Sequence, residues 1–492
     1  MSYLELLRLA SPEASVVVTA LVVLALGLTN SKRMIAAASF VAALGLAVAT
    51  IAVLKLPQNA VLFHGMLVIS PLNSLFKVIC LVLAFFTVLL ARGDRAARDH
   101  GEYLALILLA TIGLLLLVGS EELLMIFIGL ELTGLSLYVM TAFDKSDLRS
   151  AEAGLKYFLF GSMASAFTLF GLSFIYGLTG STALAAIAQA LGATPVQPLL
   201  AAGIVMTLIG FAFKVAAAPF HLWAPDAYQG APVPTAAFIA SGSKVASFVV
   251  LGKIVLVGFA PLHGRADWHA LVAGWSPLLA VLAALSIVLG NLVALAQRNV
   301  RRLLAYSAVA HSGYTLLGLV AGGRDGFSAT LFYTTVYAIT LVGAFGVVAL
   351  VRRETGGDDF ANFAGLRARS PLLAGCMAVF LLSLAGLPPF AGFFGKFYLF
   401  SVALRSGENH GLLWLVALAL FGSLISLYYY LIVLKVIFLD EGASLAPAVE
   451  RYDFEARADF LPKMTLVVLA GAVLLLGIMP GMLVARILAS FT

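Results

Sequence analysis

The chain has 492 residues, of which 62% are hydrophobic and 11% charged, and its mean hydropathy is +1.06. A soluble domain carries about 25% charged residues, so this chain lacks the polar surface needed to face water on all sides. Its formal net charge of +6 is spread over short loops between apolar runs, which argues for orientation in a membrane and against a nucleic-acid partner.

Apolar runs of about twenty residues, each enough to cross a hydrocarbon core of about 30 Å, recur from Val16 to Ser490. They predict an all-α integral membrane protein with about fourteen spans, near 14–30, 34–54, 72–91, 103–119, 122–142, 154–177, 199–228, 235–258, 270–296, 303–321, 327–350, 371–404, 411–438 and 464–489. Acidic residues precede the first run and no small-residue cleavage site follows it, so no cleaved signal is expected. The longest polar connections, Arg352–Ser370 and Asp440–Lys463, are too short for a soluble domain. A single polytopic membrane domain, 1–492, is the expectation.

Loop charges set the expected orientation. Numbered along the chain, the odd loops hold Lys32, Arg33, Arg92, Arg95, Arg98, Lys145, Arg149, Arg298, Arg301, Arg302, Arg352, Arg353, Arg367, Arg369, Arg451, Arg457 and Lys463. The even loops hold only Lys55, Arg265, Arg324 and Arg405. This bias predicts odd loops in the cytoplasm and both termini on the opposite, periplasmic side of a bacterial inner membrane.

Two spans should be interrupted. Pro219 falls mid-membrane in 199–228, and Pro388–Pro389 fall between two apolar halves in 371–404. Proline removes a backbone donor and clashes with the carbonyl four residues back, so a helix breaks there. Broken backbone at membrane depth persists only where it is buried in protein or lines a hydrated cavity. Lys214 precedes its proline, whereas Lys396 follows its own. That mirror-image order suggests two inverted-topology repeats, each with one broken helix, at about 103–258 and about 270–438.

Five charged residues lie inside apolar runs: Glu131, Lys156, Lys214, Lys244 and Lys396. A charge at bilayer centre costs roughly 2.5–3.5 kcal/mol on insertion scales, and such residues mark ion paths or local pairs. Lys214, Lys244 and Lys396 are therefore candidate proton carriers, and Glu131 a candidate partner that tunes one of them. Opening a Glu–Lys pair from about 4 Å changes its energy by roughly 3–4 kcal/mol at an effective dielectric of about 20, enough to drive a proton transfer. Lys156 lies nearer its helix start, so snorkelling to the interface stands as an equal alternative. Snorkelling is the preferred reading for Lys77, Lys253 and Lys435. His221, after the first break, and His311 are weaker candidates, as proton shuttles or as hydrogen-bonded structure. Cys80 and Cys376 lack any metal-ligand spacing, and no dinucleotide fingerprint, P-loop or haem-attachment motif occurs. No cofactor and no metal is expected on this chain.

The segments FIGLELTGLSLYVMTAF, SAEAGLKYFLFGSMASAFTLFGLSFIYGLTGS, GFAFKVAAAPFHLWAPDAYQGAPVPTAAFIASGSK, NVRRLLAYSAVAHSGY and GLPPFAGFFGKFYLF carry a resemblance to the antiporter-like membrane subunits of respiratory complex I, the NADH–quinone oxidoreductase, most of all its bacterial N type. The resemblance implies proton translocation driven by NADH-to-quinone electron transfer on other subunits, which would hold the NAD site, FMN, iron–sulfur clusters and quinone. It implies membrane subunits of complex I as partners, in contact with membrane lipids. It places Glu131, Lys214, Lys244 and Lys396 at the family's key acid and lysines, and Lys156 and His311 at further polar positions. The lysine at 396, where the M type usually has glutamate, and the chain's ending after the last span, where the L type continues into a lateral helix, favour the N type. The D-type subunit of multisubunit sodium/proton antiporters is the nearest rival. A self-contained solute permease or a non-transporting scaffold ranks lower.

Overall fold

In the computed structural model, residues 3–29, 32–94, 96, 99–193, 197–407, 410–441 and 460–491 are described. Arg95, Arg98, Arg451 and Arg457, counted above among the odd-loop cations, lie outside them, as does most of the Asp440–Lys463 connection. Among the described residues eleven helices are long and apolar enough to cross a membrane, twelve if the sharply bent pair Tyr3–Leu9 and Ser11–Gly27 forms one span.

Both proline-containing spans are divided. Pro198–Lys214 stops and Trp223–Gly230 resumes; Pro371–Ala385 stops and Ala391–Arg405 resumes. No half reaches 18 residues, so none of the four counts singly among those eleven helices. The last expected span, 464–489, is also divided, into Phe460–Ile478 and Gly481–Ala489, with Pro480 at the join.

Burial sorts the helices into a centre and a lipid-facing ring. Within the most apolar 18-residue stretch of each span, 94% of residues are buried in Val233–Gly258, Val300–Ala321 and Gly323–Thr355, against 33% in Leu148–Thr179 and Phe460–Ile478. Between apolar helices in lipid, close van der Waals approach does the work that hydrophobicity does in water, and small residues permit it. Gly290 and Gly313 serve this between Trp275–Leu295 and Val300–Ala321. A Cβ on Gly290 would fall 2.4 Å from Ala310 N, and one on Gly313 would fall 2.7 Å from Ala283 O.

Odd and even loops gather on opposite faces. On the odd face Asn299 bridges to Asp359, Arg301 reaches the Ala231 carbonyl (2.7 Å), and Lys145 pairs with Asp99 (3.0 Å). A cavity of about 440 Å³ there is lined by Asp94, Asp144, Asp147 and Arg352, from three different loop regions. On the even face the hairpin Ala60–Leu62/Leu67–Ile69 bridges through Leu67 to Ser120, and Glu122 bridges to Ala183. A second hairpin, Arg265–Asp267/Ala270–Val272, is tied to the Gly411 carbonyl by Trp268 N (3.2 Å).

Two lysines depart from the sequence expectation. Lys77 and Lys253 do not snorkel; they are 4% and 3% exposed. Lys77 Nζ binds Glu13 Oε1 at 2.6 Å. Lys253 Nζ donates to Asn73 Oδ1 (2.6 Å) and to the Val118 and Ser120 carbonyls (2.8 and 3.2 Å) at the end of the His100–Gly119 helix. A cation suits a helix C-terminus, where the carbonyls lack partners and the macrodipole is negative. Removing one member of a buried pair leaves the other charge uncompensated, a cost of about 3–5 kcal/mol. We therefore expect Glu13→Ala to lower the melting temperature of the detergent-purified assembly, and adding Lys77→Met to restore most of it. Equal melting of Glu13→Ala and wild type would show the pair to be dispensable.

Candidate functional site: a buried series of polar groups

Glu131 and Ser165 face each other across the helices Leu123–Thr141 and Leu148–Thr179, with Ser165 Oγ donating to Glu131 Oε1 at 2.5 Å. Glu131 and Lys214 line one cavity of about 20 Å³, together with Tyr138, Thr168 and Phe213. That is room for a single water between acid and amine. Among the described residues Lys214 makes no ion pair, so the two charges are neighbours held apart.

Lys214 is the last residue of its half-helix. Beyond it Ala216 takes a left-handed conformation (φ 57°), and the Ala218–Pro219 peptide is cis. The chain bends back enough for Ala217 N to bond the Ala212 carbonyl (2.8 Å), while Ala218 N donates to Ser286 Oγ on a neighbouring helix (2.8 Å). Trp223 Nε1 takes the Phe213 carbonyl (3.1 Å). The backbone groups released by the break are thus met by protein, as lipid-free burial demands.

Lys244 follows a π-helical turn, Ile239–Ser243, and is 3% exposed. Its Nζ donates to the Ala308 carbonyl (2.6 Å) and to Ser312 Oγ (2.7 Å), and lies 5.3 Å from the centre of the Tyr337 ring. The aromatic face and two oxygens solvate the ammonium; among the described residues no carboxylate lies within ion-pair distance.

His311 continues the series. Its ring lies 4.9 Å from that of Tyr337 and 5.5 Å from that of Tyr314. Nδ1 shares a hydrogen bond with Tyr333 OH (2.8 Å), and Nε2 one with Tyr430 OH (3.3 Å), which also bonds Ser307. Lys396 Nζ sits 5.3 Å from the Tyr314 ring centre. It donates to Ser423 Oγ (2.8 Å) and to the Ala385 carbonyl (3.0 Å), the end of the half-helix before the second break. Lys214 thus ends its leading half-helix, and Lys396, carried on the trailing half, brings its ammonium to the C-terminus of the leading one, where positive charge is favoured.

Lys156 lies elsewhere. Its side chain is 40% exposed and pairs with Glu152 (2.6 Å) and Asp226 (2.8 Å), and Asp226 also holds Arg302 (2.8 Å). This is an ionic cluster at the odd end of the spans rather than a buried station. His221 is buried beside the first break, edge-on to Tyr306 at 6.3 Å. No group of three or more His, Cys, Asp or Glu among the described residues is arranged to hold a metal ion.

The family model described as NADH:quinone oxidoreductase/Mrp antiporter, TM, matches residues 120–426, which contain every residue of this series. The chain belongs to that family. A relative called NADH-quinone oxidoreductase subunit N 2, from Acidobacterium capsulatum, is 46% identical over 98% of both chains. Subunit N of Desulforamulus reducens is 39% identical over 88% of this chain and 86% of that one. Among solved structures, a chain of respiratory complex I from Thermus thermophilus is 33% identical, with TM-score 0.77 and coverage of 96% and 98%. A chain of the Mrp complex from Dietzia sp. has TM-score 0.83 at 21% identity, a likeness of fold alone.

In this antiporter-family chain the hydroxyls and rings linking the lysines were not singled out from sequence. Ser307, His311 and Tyr314 recur at helical spacing within LLAYSAVAHSGY, so one polar face of a buried helix was present as a signal. Tyr337 and Tyr430 come from distant segments and gave none.

Proposed function

We propose that the chain is an N-type, proton-translocating membrane subunit of a bacterial NADH–quinone oxidoreductase. Other subunits would carry NAD, FMN, iron–sulfur clusters and quinone, and would pass the energy of electron transfer to this chain as a conformational change. The observation that carries the reading is the intramembrane polar series: Glu131 and Lys214 line one cavity, and Lys244, His311 and Lys396 follow one another through hydroxyls and aromatic rings. In it, closing the Glu131–Lys214 gap favours the proton on Lys214, and opening it releases the proton toward Lys244 and then Lys396. Opening such a pair changes its energy by roughly 3–4 kcal/mol at an effective dielectric of about 20, against about 2.3 kcal/mol to move one charge across 100 mV. Each divided pair counts as one span in this reading, which completes fourteen, with inverted halves at about 103–258 and about 270–438. The odd face is cytoplasmic and the termini periplasmic, in the inner membrane.

The likeness of fold to an Mrp chain supports one rival, a subunit of a sodium/proton antiporter. Glu131→Gln keeps the volume and the Ser165 bond but removes the charge. In membrane vesicles we expect it to assemble and to lower NADH-driven proton pumping about tenfold or more, the scale of losing a transferring group's partner. Normal pumping in assembled complex overturns the role of Glu131. Unchanged NADH oxidation with growth sensitivity to sodium favours the antiporter.

A further inference from the structure

Ser312 stands where the first broken helix, the Lys244 span and its own helix meet. Its Oγ accepts a hydrogen bond from Lys244 Nζ (2.7 Å) and lies 2.5 Å from the Val215 carbonyl and 2.9 Å from that of Ala308. Val215 directly follows Lys214 and caps its half-helix. Among the described residues no backbone N–H reaches the Val215 carbonyl, so Ser312 supplies its donor.

A hydroxyl has a single proton to give, and an ammonium has three donors and no acceptor. While Lys244 is charged, Ser312 can only accept from it and must send its own proton to a carbonyl, the nearer being Val215. When Lys244 is neutral, Nζ offers a lone pair, and the hydroxyl can turn toward it. The Val215 carbonyl then loses its donor, and a buried acceptor without one is destabilising. Val215 closes the half-helix that carries Lys214, so the strain falls on the first break.

We propose that Ser312 is a positioning residue that couples the charge on Lys244 to the first helix break. The hydroxyl reports the proton on Lys244 to the carbonyl that ends the half-helix carrying Lys214. A carbonyl cannot pass a proton on, so no proton travels through Ser312 itself. Such coupling is reciprocal: a break whose Val215 carbonyl finds another donor equally favours a neutral Lys244. Ionisable groups on this span and the elements around it include Tyr337 beneath the ammonium and His311 beside Ser312; Tyr333 is bonded to His311, Tyr103 to Thr235 (2.7 Å), Lys77 to Glu13, Lys253 to Asn73 and Glu131 to Ser165. None of these contacts Val215. The inference rests on the proton-translocation reading above.

The test uses the whole complex in native membrane vesicles, with proton pumping and NADH oxidation recorded together for Ser312→Ala, Ser312→Thr and Lys244→Met. Ser312→Ala should assemble and pump about tenfold more slowly, the scale of one hydrogen bond to a charged group. Ser312→Thr, which keeps the hydroxyl, should recover most of the loss, an outcome that a purely packing role would not produce. If Ser312→Ala fails to assemble, Ser312→Cys, of similar size and with a weak donor, takes its place with the same expected loss. Normal pumping by the variant that lacks a strong donor, or a Ser312→Thr as impaired as Ser312→Ala, overturns the proposal. Normal pumping by Lys244→Met overturns the underlying transport reading as well; impaired Lys244→Met beside normal Ser312→Ala overturns the role of Ser312 alone.

Discussion

Lys244→Met should assemble, melt no lower than wild type, and lose NADH-driven proton pumping through this chain. The lysine is 3% exposed and is solvated by a carbonyl, a hydroxyl and an aromatic ring, with no carboxylate in ion-pair distance among the described residues. Replacing a buried ion by an apolar side chain of similar length is often neutral or stabilising by about 1–4 kcal/mol. Methionine fills the same channel between helices, and Ser312 keeps its two carbonyl acceptors. Function and stability should therefore move in opposite directions, the mark of a residue retained for transport at the expense of packing. Dye-quenching measurements of pumping, paired with thermal melting of the purified assembly, check both halves. A variant that melts much lower would make Lys244 a structural residue instead.

The second large effect concerns stability. Arg301 is 1% exposed; it pairs with Asp358 and donates to the Ala231 carbonyl at 2.7 Å, joining the end of the first broken span to the loop after Gly323–Thr355. Arg301→Met would leave both acceptors buried without it, at a cost of about 3–5 kcal/mol. Arg301→Lys should recover only part of this, since an ammonium lacks the planar, forked donor geometry that a guanidinium offers to a carboxylate and a carbonyl at once. The pair also sets an acid limit. Burial alone raises the Asp358 pKa, but the Arg301 charge, the Asn299 hydrogen bond and Arg352 outweigh it and hold the carboxyl below its ordinary value. A carboxylate depressed in the folded state contributes stability that is complete above its unfolded pKa of about 3.9 and is lost as pH falls through the folded value. In Arg301→Met the carboxyl rises toward its unfolded value, so this acid-linked contribution shrinks: the melting deficit against wild type should be largest near neutral pH and should narrow as pH falls through the unfolded carboxylate range. Melting curves between neutral and acid pH test this, and a deficit that stays constant across the range would sink it.

Much of the site was legible because intramembrane charges and prolines are rare. Glu131, Lys214, Lys244 and Lys396 could be picked out one at a time, and the prolines marked both breaks. Lys77 and Lys253 show where that reading ends. Each was assigned to the interface because its partners, Glu13 and Asn73, lie 64 and 180 residues away in sequence. Lys156 fell inside an apolar run, yet its helix delivers it to the partly exposed cluster with Asp226 and Arg302. Its bond to Glu152, one turn earlier, was readable; the other contact was not.

Hydrophobicity and proline act locally, so the chain by itself determined that it spans a membrane, roughly where the spans fall and which helices break. Polar contacts at membrane depth depend on which helices pack together and how they are turned, and that only the tertiary structure decided. It brought Ser312 between Val215 and Lys244, and set the rings of Tyr337, His311 and Tyr314 between Lys244 and Lys396, so that isolated charges became one series.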